Sequence, residues 1–401
     1  MRFAHMADPH LGSWNNHPDM REYPLLAFKE AISVCINSAV DFIIISGDLF
    51  DSSIPPIDIL RFAVSWLKRC KDAGINIYAI PGSHDFSPTG KTMLSVLEDA
   101  GLIVNVARCI EVDGKLKLKF VNDKSGARIA GMLGRRGGLE KSYYESLESP
   151  ENYNGLSIFV FHSAITEYKP QHLKEMDSIS LSLLPKNFNY YAGGHVHHKF
   201  ERDEEFGKIV YPGALFPTSF DELEKCKPGF YFVNYDGKIN LNWFDLNIID
   251  VVTIEINADK KSVKRVEDEI LNKIEHMDLK NKIFLLKISG VLENGKPSDI
   301  DFKTIYSKVY QKGAKVVKKN ISMLTTKEFE EIKIKPNVTV EELEKTLIAE
   351  HTYKLSKFSN NEIKKIILDL MNTFKEEKME GETNTTYEER IKSNVKKILG
   401  V

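Results

Sequence analysis

Three short apolar runs near the start of the chain alternate with segments of helical spacing, and this alternation constrains the fold more than any other feature. The runs are RFAHMA, DFIIIS and INIYAI, and the helical segments are PLLAFKEAISVCINSA, IDILRFAVSWLKRCKDAG and KTMLSVLEDAG. A continuous β-branched run such as DFIIIS is typical of a strand that is buried on both faces. Repeated strand–helix–strand units predict an α/β sheet that carries helices on its faces.

The pattern changes twice further along the chain, which predicts additional domains. After about residue 108 the strand-like runs become shorter, and they suggest a second, partly antiparallel sheet. From about residue 249 the order strand–helix–strand–helix–strand describes a compact module that lacks an acidic or histidine cluster, so we expect it to position a substrate and not to react with it. We therefore expect domains at residues 1–246, 247–325 and 326–401.

The last of these segments carries apolar residues at helical spacing on both sides of a polar break, KEEKMEGETNTT. Thr339 and Glu342 fit a capping box that opens its first helix. The apolar stripes either pack on each other or on the body of the protein, or they dock on a partner protein, and the length of the stripe favours the partner. The residues that would make this contact are Leu343, Leu347, Ile363, Ile366, Ile367, Leu370, Phe374, Ile391, Val395 and Ile398.

The composition restricts the class of protein only weakly. Of the 401 residues, 42% are hydrophobic and 28% are charged, as in globular domains, and the formal net charge is −2. The lack of a basic excess argues weakly against a nucleic-acid partner, because a local basic patch or a bound divalent metal can supply a positive field. The four scattered cysteines form no CxxC pair, so we expect buried free thiols in a reducing compartment and not a cysteine zinc site.

The sequence shows no feature of a secreted or membrane protein. The N-terminal segment MRFAHMADPHLG lacks the charged and apolar regions of a signal peptide, and no apolar run approaches the roughly 20 residues that span a bilayer. We expect a soluble intracellular protein, located in the cytoplasm or nucleoid, with no membrane partner.

Polar residues follow five of the predicted strands, in the segments DPH, GDLFD, GSHD, FHS and GHVH. Side chains at the carboxyl ends of strands converge on one crevice in α/β sheets. The residues that we expect to meet there are Asp8, His10, Asp48, Ser83, His84, Asp85, His162, His195 and His197. We expect the remaining histidines to be structural or exposed, and they are His5, His17, His172, His198, His276 and His351.

This combination of residue types indicates a centre for two divalent metals. Aspartate oxygens and neutral imidazoles suit Mn²⁺, Fe²⁺ and Zn²⁺, and a central carboxylate can bridge two ions about 3.5–4 Å apart, as in the hydrolysis of phosphate esters. The two histidines of HVH would point to the same face of a regular strand. Gly193 and Gly194, which precede them, leave room for a close approach of the backbone or for an irregular turn.

These motifs resemble the calcineurin-like metallophosphoesterase superfamily. The wider segments FAHMADPHLG, VDFIIISGDLFDSS, GGHVHH, VYPGAL and GFYFV are similar to the SbcD/Mre-eleven nucleases, closely over about residues 1–235 and more loosely beyond. The resemblance implies a four-layer α/β sandwich of two mixed β-sheets flanked by helices, a small α+β DNA-capping domain and a C-terminal helical segment. That helical segment binds the Rad-fifty/SbcC-type ATPase in the family.

The resemblance also implies the role of each site residue. One metal would be held by Asp8, His10, Asp48 and His197, and the second by Asp48, Ser83, His162 and His195. His84 would contact the phosphate or protonate the leaving oxygen, and Asp85 would orient His84. The family implies two Mn²⁺ ions per subunit, a 3′–5′ exonuclease and single-strand endonuclease activity on DNA, and a role in double-strand-break repair.

Two positions depart from the family pattern. Ser83 stands where the family usually has asparagine, whose carbonyl oxygen reaches further and is a better ligand, so we expect weaker binding of the second metal. Asp51 stands where some relatives have histidine or asparagine. It would contact the DNA substrate or cap the helix that follows, and we prefer the cap.

Other expectations concern DNA and the subunit contact. Arg135 and Arg136 in the segment GRRGG would hold DNA phosphates or lie in a solvated loop. The apolar faces of PLLAFKEAISVCI and IDILRFAVSWL would meet a second copy in a homodimer, as in the family, or pack in the core. Two alternative functions stay open, namely a metallophosphoesterase for a small phosphoester and a catalytically weak scaffold for the ATPase.

Overall fold

The computed structural model of the protein describes residues 1–87, 90–169, 173–327, 360–379 and 382–399. The chain divides into two compact units, Met1–Thr326 and Lys327–Val401. The further division of the first unit at residue 246 stays a prediction.

The described strands and helices follow the order that the sequence predicts. The strands are β1 (Arg2–Met6), β2 (Phe42–Ile45), β3 (Asn76–Ala79), β4 (Val104–Asn105), β5 (Cys109–Val112), β6 (Lys115–Leu118), β7 (Val121–Asn122), β8 (Arg128–Met132), β9 (Ser157–His162), β10 (Ala164–Ile165), β11 (Ser178–Ile179), β12 (Tyr190–Gly194), β13 (Phe200–Glu204), β14 (Gly207–Tyr211), β15 (Gly229–Tyr235), β16 (Ile239–Asp245), β17 (Val251–Asn257), β18 (Lys261–Ser262), β19 (Ile283–Asn294) and β20 (Val316–Thr326). The α-helices among the described residues are α1 (Tyr23–Asn37), α2 (Ile57–Asp72), α3 (Met93–Asp99), α4 (Lys141–Glu145), α5 (Phe220–Lys225), α6 (Val263–Glu275), α7 (Phe302–Gln311), α8 (Asn360–Lys375) and α9 (Asn384–Leu399).

Two six-stranded sheets form the body of the first unit. Their strand orders are β16-β15-β1-β2-β3-β4 and β13-β14-β12-β9-β8-β7. In the first sheet β1 to β4 are parallel, and β15 and β16 extend it with antiparallel pairing. In the second sheet β8, β9, β12 and β14 are parallel, and an antiparallel strand lies at each edge. Both sheets are therefore mixed, as predicted.

Successive side chains of β1 point into two different hydrophobic cores, one on each face of the first sheet. Phe3 lies between the two sheets, where its ring stacks on Phe42 at 4.8 Å and meets Tyr190 edge-on at 5.4 Å. Ala4 and Met6 point the other way, into the core beneath α1 and α2. A further cluster of buried residues, which includes a side chain of α4, covers the outer face of the second sheet. The expected four-layer sandwich of two mixed sheets flanked by helices is confirmed.

The helix α2 shows how its sequence determines both its packing and its end. Its buried residues are Ile59, Ala63, Trp66, Leu67 and Cys70, which recur at helical spacing. The helix ends where Gly74 adopts a φ of 71°, a left-handed conformation that glycine allows. Its apolar face thus lies in the core, while Ile57 at its start is 78% exposed. Whether the outer faces of α1 and α2 also bind a second copy stays a prediction.

The predicted strand–helix–strand–helix–strand module is present from β17 to β20. Its strands β17, β19 and β20 are parallel, with β19 in the middle. The helices α6 and α7 pack on this sheet around a hydrophobic core of its own. Ile283, Leu285 and Val316 instead join the core of the first sheet. The module is therefore packed directly against the two-sheet body.

The second unit contains α8 and α9, which contact each other. Arg390 of α9 forms an ion pair with Glu382 at 2.9 Å, and the Tyr387 hydroxyl donates to the Glu376 carbonyl oxygen at 3.0 Å. Leu343, Leu347 and the side chain of Ile363 lie outside the described residues. Of the other stripe residues, Phe374 is 63% exposed, and those that are half-buried are Ile366, Ile367, Leu370, Ile391, Val395 and Ile398.

The four cysteines are free thiols that are buried or partly buried. Cys35 and Cys70 are buried free thiols, and Cys109 and Cys226 are partly buried and also free. Burial raises the pKa of the Cys70 thiol to about 12, as expected for an unreactive core residue. None of the helices in the described part of the chain is long and apolar enough to cross a bilayer.

Candidate metal centre

The loops that follow β1, β2, β3 and β12, together with the last residue of β9, bring the predicted site residues together. Three groups of side chains each place their ligand atoms within 4.8 Å of one another. They are Asp8/His10/His197, His10/Asp48/His84 and Asp48/His162/His195. Asp48 and His10 each belong to two groups, so the groups form one continuous centre.

Four of these residues have an unusual backbone conformation. Asp8, His10, Asp48 and His195 have φ values of 50°, 42°, 50° and 83°. Residues with a Cβ seldom adopt a positive φ, because the Cβ approaches the backbone, and such conformations persist where the surrounding structure enforces them. They turn the chain sharply at the strand ends and concentrate at the centre.

The conformation of His195 corrects one prediction. The strand β12 ends at Gly194, and His195 begins a turn, so the HVH segment is not a regular strand. His195 lies in the group with Asp48 and His162, whereas His197 lies in the group with Asp8 and His10. The prediction of a shared strand face is wrong, but both rings still line the centre, one in each of two groups.

The predicted need for small residues before this turn is confirmed. A Cβ on Gly194 would lie 1.9 Å from the Ser46 carbonyl oxygen and 2.9 Å from Nδ1 of His162. On the facing loop, a Cβ on Gly82 would lie 2.3 Å from Oδ1 of Asp48. Glycine at these positions therefore allows the loops to approach the ligands closely.

Contacts at Nδ1 orient the histidine rings. Nδ1 of His162 lies 2.8 Å from the Ser46 carbonyl oxygen, which can only accept a hydrogen bond, so Nδ1 carries a proton and Nε2 is the nitrogen left to ligate a metal. Nδ1 of His10 lies 3.4 Å from Oδ1 of Asp51, and Nδ1 of His197 lies 3.1 Å from Oε1 of Glu222. All three rings thus present Nε2 to the centre.

These Nε2 atoms and the carboxylate of Asp48 surround a common space. Nε2 of His162 lies 3.2 Å from Oδ2 of Asp48 and is buried without a hydrogen-bond partner among the described atoms. Nε2 of His10 lies 3.2 Å from Nε2 of His197 and 3.7 Å from Oδ2 of Asp48. Two imidazole Nε2 atoms that face each other beside buried carboxylates are a donor set that fits divalent cations.

The electrostatics of the centre also favour a cation. Burial lowers the pKa of His162, but the negative charge of the nearby Asp48 outweighs burial and raises that pKa to about 10. At His10 burial is likewise outweighed by Asp51 and Asp48, and the pKa is raised to about 9. The buried carboxylates therefore attract positive charge, which bound protons or metal ions can supply.

The loop after β3 supplies Ser83, His84 and Asp85. The Ser83 hydroxyl donates to Oδ2 of Asp48 at 3.2 Å, and the backbone N–H of His84 donates to Oδ1 at 2.7 Å. Nδ1 of His84 donates to the Asp51 carbonyl oxygen at 2.9 Å, so that carbonyl holds the ring. The carboxylate of Asp85 accepts the N–H groups of Gly82 and Phe50 at 2.9 and 3.3 Å. Asp85 thus holds the loop in shape. The contact that orients the His84 ring was expected from Asp85, but it comes from the Asp51 carbonyl oxygen.

Asp51 does not cap the following helix, which corrects the preferred interpretation. The helix α2 has Pro56 as its N-cap and no side-chain capping bond. The Asp51 carboxylate instead contacts His10, because the turn after β2 directs it back toward the centre.

An open cleft of about 600 Å³ adjoins the centre. Its lining residues are Ser52, Ser53, Ser83, His84, Phe86, Ser87, Gly90, Arg135 and Leu139. The guanidinium of Arg135 lies 5.5 Å from the centre of the Phe86 ring and 5.7 Å from that of Tyr143. Arg136 begins a short 3₁₀ turn, and its side chain lies outside the described residues.

Glu222 is not among the site residues that the motifs predicted. The segment Ser219-Phe-Asp-Glu222 has the spacing of a capping box, which could have located the start of α5 but not its contact with His197. Burial raises the pKa of the Glu222 carboxyl. The hydrogen bond and the charge of His197 outweigh burial and lower this pKa to about 2.

The fold and the centre define a calcineurin-like phosphoesterase. The family model for calcineurin-like phosphoesterases matches residues 1–199. Three similar proteins are each named "DNA double-strand break repair protein Mre11". The protein of Sulfolobus acidocaldarius is 28% identical, over 95% of this chain and 97% of its own. The protein of Methanococcus maripaludis is 30% identical, and the match covers 77% of this chain and 83% of that protein. The protein of Methanocaldococcus jannaschii is 29% identical, and the match covers 71% of this chain and 76% of that protein.

The chain belongs to the Mre11 family of calcineurin-like phosphoesterases. It is accordingly a metal-dependent phosphodiester hydrolase of the nuclease type, as the resemblance implied.

Proposed function

We propose that the protein is a two-metal DNA nuclease that acts in the repair of double-strand breaks. The observation that carries this proposal is the continuous centre in which Asp48 and His10 each join two ligand groups. The names of the similar proteins supply the biological context. Mn²⁺, the 3′–5′ exonuclease and the single-strand endonuclease activity are part of the proposal.

The ligands divide between two ions. Asp8, His10, Asp48 and His197 would hold one ion, and the second would be held by Asp48, Ser83, His162 and His195. Bound ions would supply an activated water and neutralise charge on the phosphate. Asp48, which is 1% exposed, would be shared by the two ions.

His84 would act on the substrate itself. Its Nδ1 is engaged with the Asp51 carbonyl oxygen, which leaves Nε2 to contact the phosphate or to donate a proton to the leaving oxygen. Its location in the lining of the cleft supports this role. Asp85 would act on His84 only indirectly, through the shape of the loop.

The cleft would receive the DNA backbone. Arg135 lies in its lining, and a guanidinium held near two aromatic rings is suited to bind a phosphate. Arg136 would contribute a second positive charge. Asp51 would lie near the substrate and would orient His10 and His84.

The proposal includes two protein partners. A Rad-fifty/SbcC-type ATPase would bind the apolar stripes of the segment 326–401, and the exposed Phe374 supports this surface. A second copy of the chain would bind the outer faces of α1 and α2, where Leu26 is 41% exposed and Ile57 is 78% exposed. Sedimentation that shows only monomer at high concentration would contradict the homodimer. We place the protein in the cytoplasm or nucleoid.

The test is the degradation of linear duplex DNA in the presence of Mn²⁺. Substrates labelled at either end test the exonuclease activity, and substrates with single-stranded regions test the endonuclease activity. The substitution His84→Ala should lower the rate by about 10²-fold or more, because it removes the group that contacts the phosphate or the leaving oxygen. His276→Ala, a histidine at the end of α6, is the matched control and should leave the rate unchanged.

Two other outcomes would contradict the proposal. Hydrolysis of a small phosphodiester, but not of DNA, would make the protein a small-substrate phosphoesterase. No hydrolysis of either substrate, alone or with the ATPase, would make it a scaffold, and Ser83 would be the first residue to restore to asparagine.

A further inference from the structure

Glu222 lies where α5 meets the metal centre. The side chain folds back over the start of its own helix, where Oε2 accepts the backbone N–H and the hydroxyl of Thr218 at 2.8 and 3.1 Å. In return, the Ser219 hydroxyl accepts the N–H of Glu222 at 3.3 Å. These bonds fix the carboxylate and leave its other oxygen, Oε1, 3.1 Å from Nδ1 of His197.

The ring of His197 is more exposed than that of the buried His162. It comes from the turn after β12, and its side chain is 19% exposed, whereas that of His162 is 0% exposed. The outer torsion of a histidine side chain has broad minima, so packing alone would hold an exposed ring weakly. Its Nε2 nevertheless lies 3.2 Å from Nε2 of His10 and 3.9 Å from Oδ1 of Asp8.

We infer that Glu222 is a positioning residue for the metal centre: it accepts the Nδ1–H of His197 and so holds Nε2 toward the ion shared with Asp8 and His10. The inference rests on the proposed two-metal centre. A carboxylate behind a ligating imidazole fixes the tautomer and makes the ligand more basic, and its loss typically lowers metal affinity by about 10- to 100-fold.

The alternative is that Glu222 only caps α5. The two roles respond differently to Glu222→Gln. The glutamine carbonyl oxygen can still accept from Thr218, so the cap is retained. Its amide NH₂ group then faces His197 and can only donate, which favours a ring with the proton on Nε2 and the lone pair on Nδ1. That tautomer cannot ligate through Nε2.

Two control variants separate the roles. Ser219→Ala removes the capping bond to the N–H of Glu222 but retains the carboxylate, so it should lower the melting temperature and leave metal affinity unchanged. Glu224→Gln removes the same charge from the same helix, but Glu224 contacts Lys287 of β19 at 3.3 Å and not His197. It controls for the general loss of negative charge.

The experiment is a calorimetric titration of the full chain with Mn²⁺, for the natural protein and the three variants, with circular dichroism to confirm folding. We expect Glu222→Gln to weaken one of the two sites by about 10- to 100-fold, while both controls bind as the natural protein does. Unchanged binding by Glu222→Gln, or an equal loss in either control, would overturn the inference. If Glu222→Gln does not fold, Glu222→Asp replaces it, because aspartate keeps the charge but has a shorter side chain. Glu222→Asp should weaken the binding of Mn²⁺ at the same site. Unchanged binding at that site would overturn the inference.

The titration of the natural protein distinguishes the two levels of the proposal. If it binds no Mn²⁺, the two-metal centre itself is overturned, and the inference about Glu222 with it. If it binds Mn²⁺ at two sites and Glu222→Gln binds equally well, only the role of Glu222 is overturned.

Discussion

Asp48 is the residue on which both halves of the metal centre depend. Its carboxylate belongs to two ligand groups, and it accepts hydrogen bonds from the N–H of His84 and the hydroxyl of Ser83. Its backbone has a positive φ, and Gly82 packs against it where a Cβ would not fit. The position of this one carboxylate is therefore determined by two loops at once.

Ser83→Asn is expected to strengthen binding of the second metal. The serine hydroxyl donates to Oδ2 of Asp48, whereas an asparagine carbonyl oxygen would reach further and act as a neutral ligand. Titration with Mn²⁺ should show two unequal sites in the natural protein and a smaller difference in the variant. Ser52→Asn, at another serine of the cleft, is the control. Two equally tight sites in the natural protein would contradict the prediction.

Metal binding is expected to release protons and to tighten as the pH rises. Without metal, the pKa values of His10 and His162 are raised to about 9 and about 10, so both rings are protonated near neutral pH. Protons and metal compete for the same Nε2 atoms, and the competition weakens as the pH approaches these values. Calorimetry in buffers of different ionisation enthalpy measures the released protons. Equal affinity across the pH range, with no proton release, would refute the prediction.

The same pKa values predict how the metal-free protein responds to pH. Its folded state holds protons on His10 and His162 that the unfolded chain, with an ordinary histidine pKa of 6.5, has lost. This contribution to stability is complete below about pH 6.5 and is lost as the pH rises through about 9 to 10. The melting temperature of the metal-free protein should therefore fall over this window, and it should fall less after His162→Gln.

At the scale of elements, a buried chain of hydrogen bonds joins the two sheets beneath the centre. The Tyr190 hydroxyl of β12 donates to Nδ1 of His5 on β1, and Nε2 of His5 donates to the Ser46 hydroxyl, both at 2.8 Å. The Ser46 hydroxyl donates to the Ala192 carbonyl oxygen at 3.0 Å. Burial lowers the pKa of His5 to about 3, so the ring is neutral and can take part at both nitrogens. His5 is structural, as expected.

Tyr190→Phe is expected to destabilise the fold by about 1–3 kcal/mol, because it leaves Nδ1 of the buried His5 without a donor. Chemical unfolding measures the loss, which should appear with metal bound and without it. Tyr231→Phe is the matched control, since its ring lies in the same core while its hydroxyl takes no part in this chain of hydrogen bonds. Equal stability of the two variants would count against the role of His5.

At the scale of the whole molecule, the first unit, Met1–Thr326, contains all the predicted ligands together with the cleft. A chain that ends at Thr326 should therefore degrade DNA in the presence of Mn²⁺ as the full chain does, but it should lose binding to the Rad-fifty/SbcC-type ATPase. Nuclease assays and size-exclusion chromatography with the purified ATPase measure the two properties. Retained ATPase binding would contradict the docking proposal.

Point variants of the full chain test the same surface without truncation. Phe374→Glu places a charge on an exposed apolar residue of α8 and should weaken ATPase binding. Tyr310→Glu, at a residue of α7 that is 45% exposed in the first unit, is the matched control.

The sequence alone determined the strand and helix order and predicted which residues are candidate ligands. Runs such as DFIIIS are typical of strands that are buried in a layered sheet, and polar residues directly after such strands lie at the edge where the strands end. The residue types at those ends then select metal chemistry.

Only the tertiary structure decided how these residues are held. The turn at His195, the contact of Asp51 with His10 and that of Glu222 with His197 all depend on backbone conformations and on distances between elements far apart in the chain. Local propensity does not determine these features, because a positive φ is uncommon for residues with a Cβ and the contacts join residues that are far apart in the chain. The candidate ligands are therefore a property of the sequence, and their geometry is a property of the packed sheets.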